Sequence, residues 1–125
     1  MRNTGMASPG NIWLWRNTGV EMARAMVNAG ICGNTADIMV RKRSKRIVAV
    51  KIESECEMVK ALGEELGELD WSKGVLETIV TSGVYRAASK HLKHVDCPVP
   101  CALLKAIEVE VGIALPQKVS IEIEK

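Results

Sequence analysis

From Thr35 to Glu53 apolar and polar residues alternate with a period of two, and one basic run, Arg41-Lys42-Arg43-Ser44-Lys45-Arg46, interrupts them. Ala36, Ile38 and Val40 lie opposite Asp37, Met39 and Arg41 in the first part, and Ile47 to Ile52 forms a second, β-branched part. Side chains of a strand point alternately to its two faces, so the pattern predicts two antiparallel strands joined by a basic turn. The turn has an ordinary explanation, because basic residues at exposed edges suppress pairing between molecules. Phosphate binding is the weaker reading, since the segment has no helix or aromatic partner of its own. Upstream, Glu21 to Ala29 fits two periods: Met22, Ala25, Met26 and Ala29 suit a helix, and Ala23, Ala25, Val27 and Ala29 suit a strand. Gly30 and Gly33 then mark a turn around Cys32.

At Ser54 the period lengthens. Ser54-Glu55-Cys56-Glu57 matches a capping box, in which a hydroxyl and a carboxylate satisfy first-turn amides that lack partners within the helix. A helix is predicted over Glu55 to Leu69, with Met58, Leu62, Leu66 and Leu69 inward and Glu64, Glu65 and Glu68 toward water. A second helical stretch follows Trp71. A third run, Val84 to His94, puts Val84, Ala88, His91 and Leu92 on one face, where His91 reads as a core histidine. Lys90, Lys93 and His94 at its end suit the negative pole of a helix. Cys97-Pro98-Val99-Pro100-Cys101 has the form of a helix start, where proline removes no internal hydrogen bond. Beyond it Leu103, Leu104, Ile107, Val111, Ala114 and Leu115 follow helical spacing, whereas Ile107 to Val111 alternates as a strand would; helix is preferred, with Pro116 ending it. Lys118 to Glu124 alternates cleanly and predicts a closing strand with Val119, Ile121 and Ile123 inward. The expected fold is therefore α+β: an antiparallel sheet of about four strands with three helices on one face, in the order βββαααβ. The other sheet face is available for a homodimer or another protein partner.

The chain has 125 residues, 47% of them hydrophobic, which is enough for one domain to bury a core without disulfides or metal as staples. Residues 21–125 read as that domain and residues 1–20 as a leader. The leader carries Gly5, Pro9, Gly10 and Gly19, the tetrapeptide Arg-Asn-Thr-Gly twice, and a single apolar cluster, Ile12 to Trp15. That cluster is too short for the apolar region of a secretory signal. Translation starting at Met6 or Met22 would make the leader dispensable, and a chain starting at Met22 that failed to fold would exclude this; otherwise its two tryptophans cap an apolar patch or a partner. The sequence has no run of about 18 apolar residues, which argues against a membrane span, so the cytoplasm is the expected location. A net charge of +2 makes no general case for a nucleic-acid or membrane partner, and Trp13, Trp15, Trp71 and Tyr85 are too few to form a stacking platform. Charge is nevertheless uneven: residues up to Ile52 include 9 basic and 2 acidic side chains, and those beyond include 8 and 13, which predicts two oppositely charged faces.

Chemistry rests on Cys32, Cys56, Cys97 and Cys101, separated by 23, 40 and 3 residues. By the helix readings, Cys56 falls in a first turn and Cys97 at a cap, with Cys101 one turn on. Positive helix poles lower a thiol's pKa and favour the thiolate, the form that binds metals and attacks electrophiles. Cys97 is accordingly expected to be more reactive than Cys101, with both thiols on one side. If the thiols converge, Cys32, Cys56, Cys97 and Cys101 are the candidate ligands of zinc or an iron–sulfur cluster, with His94 as a further metal ligand. The protein would then serve electron transfer, cluster carriage or metal sensing. The competing reading is equally plain: free cysteine is among the most buried residue types, so the four can be core residues of a structural or interaction module. A disulfide framework is disfavoured without a secretory signal. Catalysis by a Cys97–His94 pair is disfavoured as well, because Asp96 is merely nearby and no third group orients the base.

The segments Ala29-Gly30-Ile31-Cys32-Gly33, Ser54-Glu55-Cys56 and His94-Val95-Asp96-Cys97-Pro98-Val99-Pro100-Cys101, followed by Lys105-Ala106-Ile107-Glu108 and Ala114-Leu115-Pro116, resemble an uncharacterised family of small cysteine-containing proteins from anaerobic archaea and bacteria. The similarity runs from about Asn28 to Ile123, and Asn34 stands where that family carries an aromatic residue. The resemblance implies a shared scaffold, favours strand for Met22 to Ala29, and implies an anaerobic setting that suits an iron–sulfur cluster or free thiols alike.

Overall fold

A computed structural model describes residues 21–125; the expectations for the leader lie outside the described residues. Strands β1 (Ala23–Asn28), β2 (Thr35–Lys42) and β3 (Ile47–Ser54) are followed by helix α1 (Glu57–Leu66), strand β4 (Glu68–Asp70) and helices α2 (Gly83–His91) and α3 (Val99–Glu110). The sheet is antiparallel throughout, in the order β1-β2-β3-β4. The α+β class, the four strands and the three helices agree with the sequence reading, whereas the chain order is βββαβαα.

The alternation acts as elementary geometry requires. Ala36, Ile38 and Val40 of β2 and Val48 and Val50 of β3 face the helices, with Ile38, Val40 and Val48 wholly buried. Helix α1 packs on β3, and α3 packs across β1 and β2. Val59, Leu62, Val84, Ala88, Leu103 and Ile107 complete this core. Glu110, at the end of α3, accepts the backbone amides of Ala23 and Lys42, each at 2.8 Å, and so ties the helix to the adjoining ends of β1 and β2. The basic turn is held from β4: the Arg43 guanidinium meets the Glu68 carboxylate at 2.8 Å, and the Trp71 indole donates to the Lys45 carbonyl at 3.2 Å.

Three expected elements differ. Helix α1 starts two residues late and ends three early, because Gly67, at φ 43°, turns the chain straight back to pair as β4 beside β3. The stretch after Trp71 is a series of turns rather than a helix, with the Asp70 carboxylate accepting the Ser72 amide and the Thr78 and Thr81 hydroxyls paired. Lys118 to Glu124 is not a strand, and Val119, Ile121 and Ile123 are exposed. The edge beside β3 is taken by β4, which follows α1 directly. In the ambiguous Ile107 to Val111 segment helix wins as far as Glu110, with Gly112 at φ 86° just beyond.

At Gly63 helix α1 comes close to the sheet. A Cβ there would lie 3.1 Å from the Ile52 Cβ, an atom fixed to the β3 backbone that cannot rotate away. Alanine in mid-helix gains about 1 kcal/mol over glycine, but overpacking costs about 1–3 kcal/mol. Gly63→Ala should therefore lower the urea midpoint, although it improves helix propensity.

Helix α2 is tied to α1 through Glu65, whose carboxylate meets the His91 ring at 2.6 Å and the Lys90 ammonium at 3.1 Å. The His91 hydrogen bond first, and Lys90 second, hold the Glu65 carboxyl below its ordinary pKa. Its stabilising contribution is complete above the ordinary carboxylate range and is lost as pH falls through the lowered value. Glu65→Gln should thus flatten the acid limb of a plot of Tm against pH, and an unchanged limb would show that the tie contributes nothing.

Candidate functional site

A cleft of about 280 Å³ opens at the end of the sheet where β2 begins and β3 ends. Its inner wall is apolar, from Ala36, Val59 and Val99, and three cysteines, Cys32, Cys56 and Cys97, line it together with His94 and Asp96. Each cysteine arrives on a different connection.

Cys32 sits in the turn between β1 and β2. Gly30 and Gly33, at φ 94° and 77°, take the left-handed conformations that glycine tolerates, and the Gly33 amide donates to the Gly30 carbonyl at 2.9 Å. Cys32 is exposed at the tip. Cys56 is the N-cap residue of α1 and is half-buried. The expected capping box is absent. The Ser54 hydroxyl instead donates to the Thr35 carbonyl at 2.6 Å and accepts the Cys56 amide at 3.1 Å. Glu55 reaches across to accept the Thr35 amide at 3.2 Å, and that amide, first among its causes, draws the Glu55 carboxyl below its ordinary pKa. The start of β2, the end of β3 and the start of α1 are thereby joined, and Cys56 is placed by backbone it does not itself hold. Sequence reading singled out Ser54 and missed Thr35 as its partner, because that pairing depends on strand register.

Cys97 closes a turn in which its amide donates to the His94 carbonyl at 3.2 Å. The N-cap of α3 is Pro98, so Cys97 stands before the helix and not within its cap. Its thiol is pushed above the ordinary value, chiefly by burial; Cys56, Cys32 and Asp96 add to the rise, and the Val99 amide opposes it. That overturns the expectation of a pole-activated thiolate. Cys101 lies in the first turn of α3, is exposed, and does not line the cleft; it adjoins Tyr85, whose phenol is raised by burial first and by Cys101 second. The spacing that would stack residues four apart applies only inside a helix, and Cys97 is outside one, so the pair does not share a face. Alkylation should accordingly reach Cys101 before Cys97, the reverse of the sequence expectation.

Among the described residues no three His, Cys, Asp or Glu side chains stand close enough together to hold a metal ion. His91, expected in the core, is instead half-buried and pairs with the Glu65 carboxylate at 2.6 Å. No helix of the described residues is long and apolar enough to cross a membrane.

The fold is α+β, and three of its four cysteines, Cys32, Cys56 and Cys97, line the cleft at one end of the antiparallel sheet. Residues 23–123 match the family of unknown function DUF6951, and the chain belongs to that family. No curated protein and no solved structure matches it.

Proposed function

We propose that the chain binds a thiophilic metal ion or an iron–sulfur cluster in this cleft, through Cys32, Cys56, Cys97 and His94, and serves electron transfer, cluster carriage or metal sensing. The observation that carries this reading is that three cysteines from distant parts of the chain line one cleft with a histidine. Cys56 and Cys97 are the seated pair, one at the start of α1 and one just before α3. Cys32 and His94 are exposed on turns, and their inward movement on binding would complete a Cys3His set, which suits zinc, or the attachment of a cluster. Cys101 is left out of the set because it lies outside the cleft lining.

Anaerobic titration of the metal-free chain with cobalt(II), and separately with iron and sulfide, tests the reading. Thiolate charge-transfer bands at one metal or cluster per chain are expected. Absence of such bands with both would sink it and leave the cysteines as packing residues. One observation favours a second reading, a docking module: Ile31 and Val95, fully exposed, flank the cleft beside Cys32 and His94. Association lost on Ile31→Asp without any metal bands would support that reading.

A further inference from the structure

Lys118 to Glu124 keeps the strict alternation of a strand, yet the chain that carries it covers none of its apolar side chains. Ile113, Leu115, Val119, Ile121 and Ile123 are 58%, 85%, 55%, 75% and 90% exposed. They are half of the large hydrophobic side chains left exposed among the described residues, and they fall within one short stretch of chain. Apolar residues scattered singly over a surface need no explanation, whereas a run of them marks a contact with something outside the chain. Residues 115–125 are exposed throughout, and no backbone hydrogen bond ties them to the rest of the described chain. Extended backbone with unpaired amides and carbonyls is a template for strand addition. Pro116 has no amide hydrogen to give a ladder and so bounds such a strand at its start.

We infer that this segment pairs with the same segment of a second copy, antiparallel about a twofold axis through Ile121. Centred there, the pairing sets Val119 opposite Ile123 and Lys118 opposite Glu124, each twice, with Ser120 opposite Glu122. Directly opposed residues of an antiparallel pair share a face, so the β-branched side chains of both copies gather on one face. On the other face an opposite-charge pair, Lys118 with Glu124 of the second copy, closes each end. Neighbouring registers lack this complementarity. An axis through Glu122 sets its two carboxylates against each other and Val119 against Lys125, and an axis through Ser120 sets Ile123 against Gln117. Parallel pairing in register opposes lysine to lysine and glutamate to glutamate, and like charges directly opposite are destabilising. A bare two-stranded ribbon is marginal in water, and Ile113 and Leu115 of both copies supply the further apolar surface it needs. Residues 112–117 give about 20 Å of extended chain between α3 and the pairing, so the two domains do not collide. The contact is isologous and closes at two copies.

Sedimentation of the full chain tests this, with a reductant present so that the exposed Cys32 and Cys101 cannot link copies. A monomer–dimer equilibrium is expected. Ile121→Asp should weaken it by at least about tenfold, because the two side chains at the axis no longer gain by burial. Its urea midpoint at high dilution should not move, because Ile121 is exposed in the single chain. Lys118→Glu and Glu124→Lys should each weaken self-association several-fold, and an equimolar mixture of the two should recover it, as should Lys118→Glu/Glu124→Lys in one chain. Parallel pairing would leave the single variants unweakened, and docking on another surface would give no recovery in the mixture; either result overturns the inference. A monomer at every concentration, a dimer indifferent to Ile121→Asp, or assemblies that grow beyond two copies would overturn it as well.

Discussion

Leu103→Ala is expected to remove about 3 kcal/mol of stability, read as a large fall in the urea midpoint at an unchanged slope. Leu103 has no solvent exposure and lies on the face of α3 that also buries Val99, Ala106 and Ile107. Helix α3 is the one helix that spans both β1 and β2, so a void beneath it cannot collapse without moving two strands. Domains of ordinary size are stable by about 5–15 kcal/mol, and this one substitution takes a substantial share of that. Leu104, one residue on and only half-buried, is the control: Leu104→Ala should cost about 1 kcal/mol or less. Equal losses at the two positions would mean that α3 does not pack by the face described.

On the proposed metal-binding reading, Cys97→Ser should abolish the cobalt thiolate bands or reduce affinity by at least tenfold, whereas Cys101→Ser should leave both unchanged. The contrast follows from position, because Cys97 lines the cleft and Cys101 does not. The same burial that pushes the Cys97 thiol up sets a pH dependence. A metal must displace the thiol proton, so affinity should rise with pH, by about tenfold per unit for each proton released, until the raised value is passed. A pH-independent affinity, or loss of binding in Cys101→Ser alone, would relocate the site. In metal-free protein the prior modification of Cys101 during alkylation should accompany this result, since it rests on the exposure of Cys101 and on the burial that pushes the Cys97 thiol up.

Much of the fold was legible because local physics and tertiary packing agree over β2, the basic turn and β3. A period of two with β-branched residues has one satisfactory arrangement, a half-buried strand, and Ile38, Val40, Val48 and Val50 adopt it. The capping signal at Ser54 and the prolines at 98 and 100 marked the helix onsets to within a few residues for the same reason. Failure came where a local pattern had to compete for a place. Val119, Ile121 and Ile123 alternate as well as any strand in the chain, but alternation specifies a conformation and not a partner, and these side chains are exposed with no strand beside them among the described residues.

The candidate site divides along the same line. Cysteine identity and the glycine turn around Cys32 are properties of short segments, and the sequence by itself determined them. Which thiols line the cleft was decided by register: the pairing of Ala36 with Ser54 puts the start of β2 beside the end of β3, and the Ser54 hydroxyl, bonded to the Thr35 carbonyl, also holds the Cys56 amide at the cleft that Cys97 lines. Cys101, nearest to Cys97 along the chain, is excluded because its helix begins one residue after Pro98 and carries it outward. Spacing along a chain measures distance only within a continuous element, and the helix boundary that separates these two cysteines exists only once α3 has packed on the sheet.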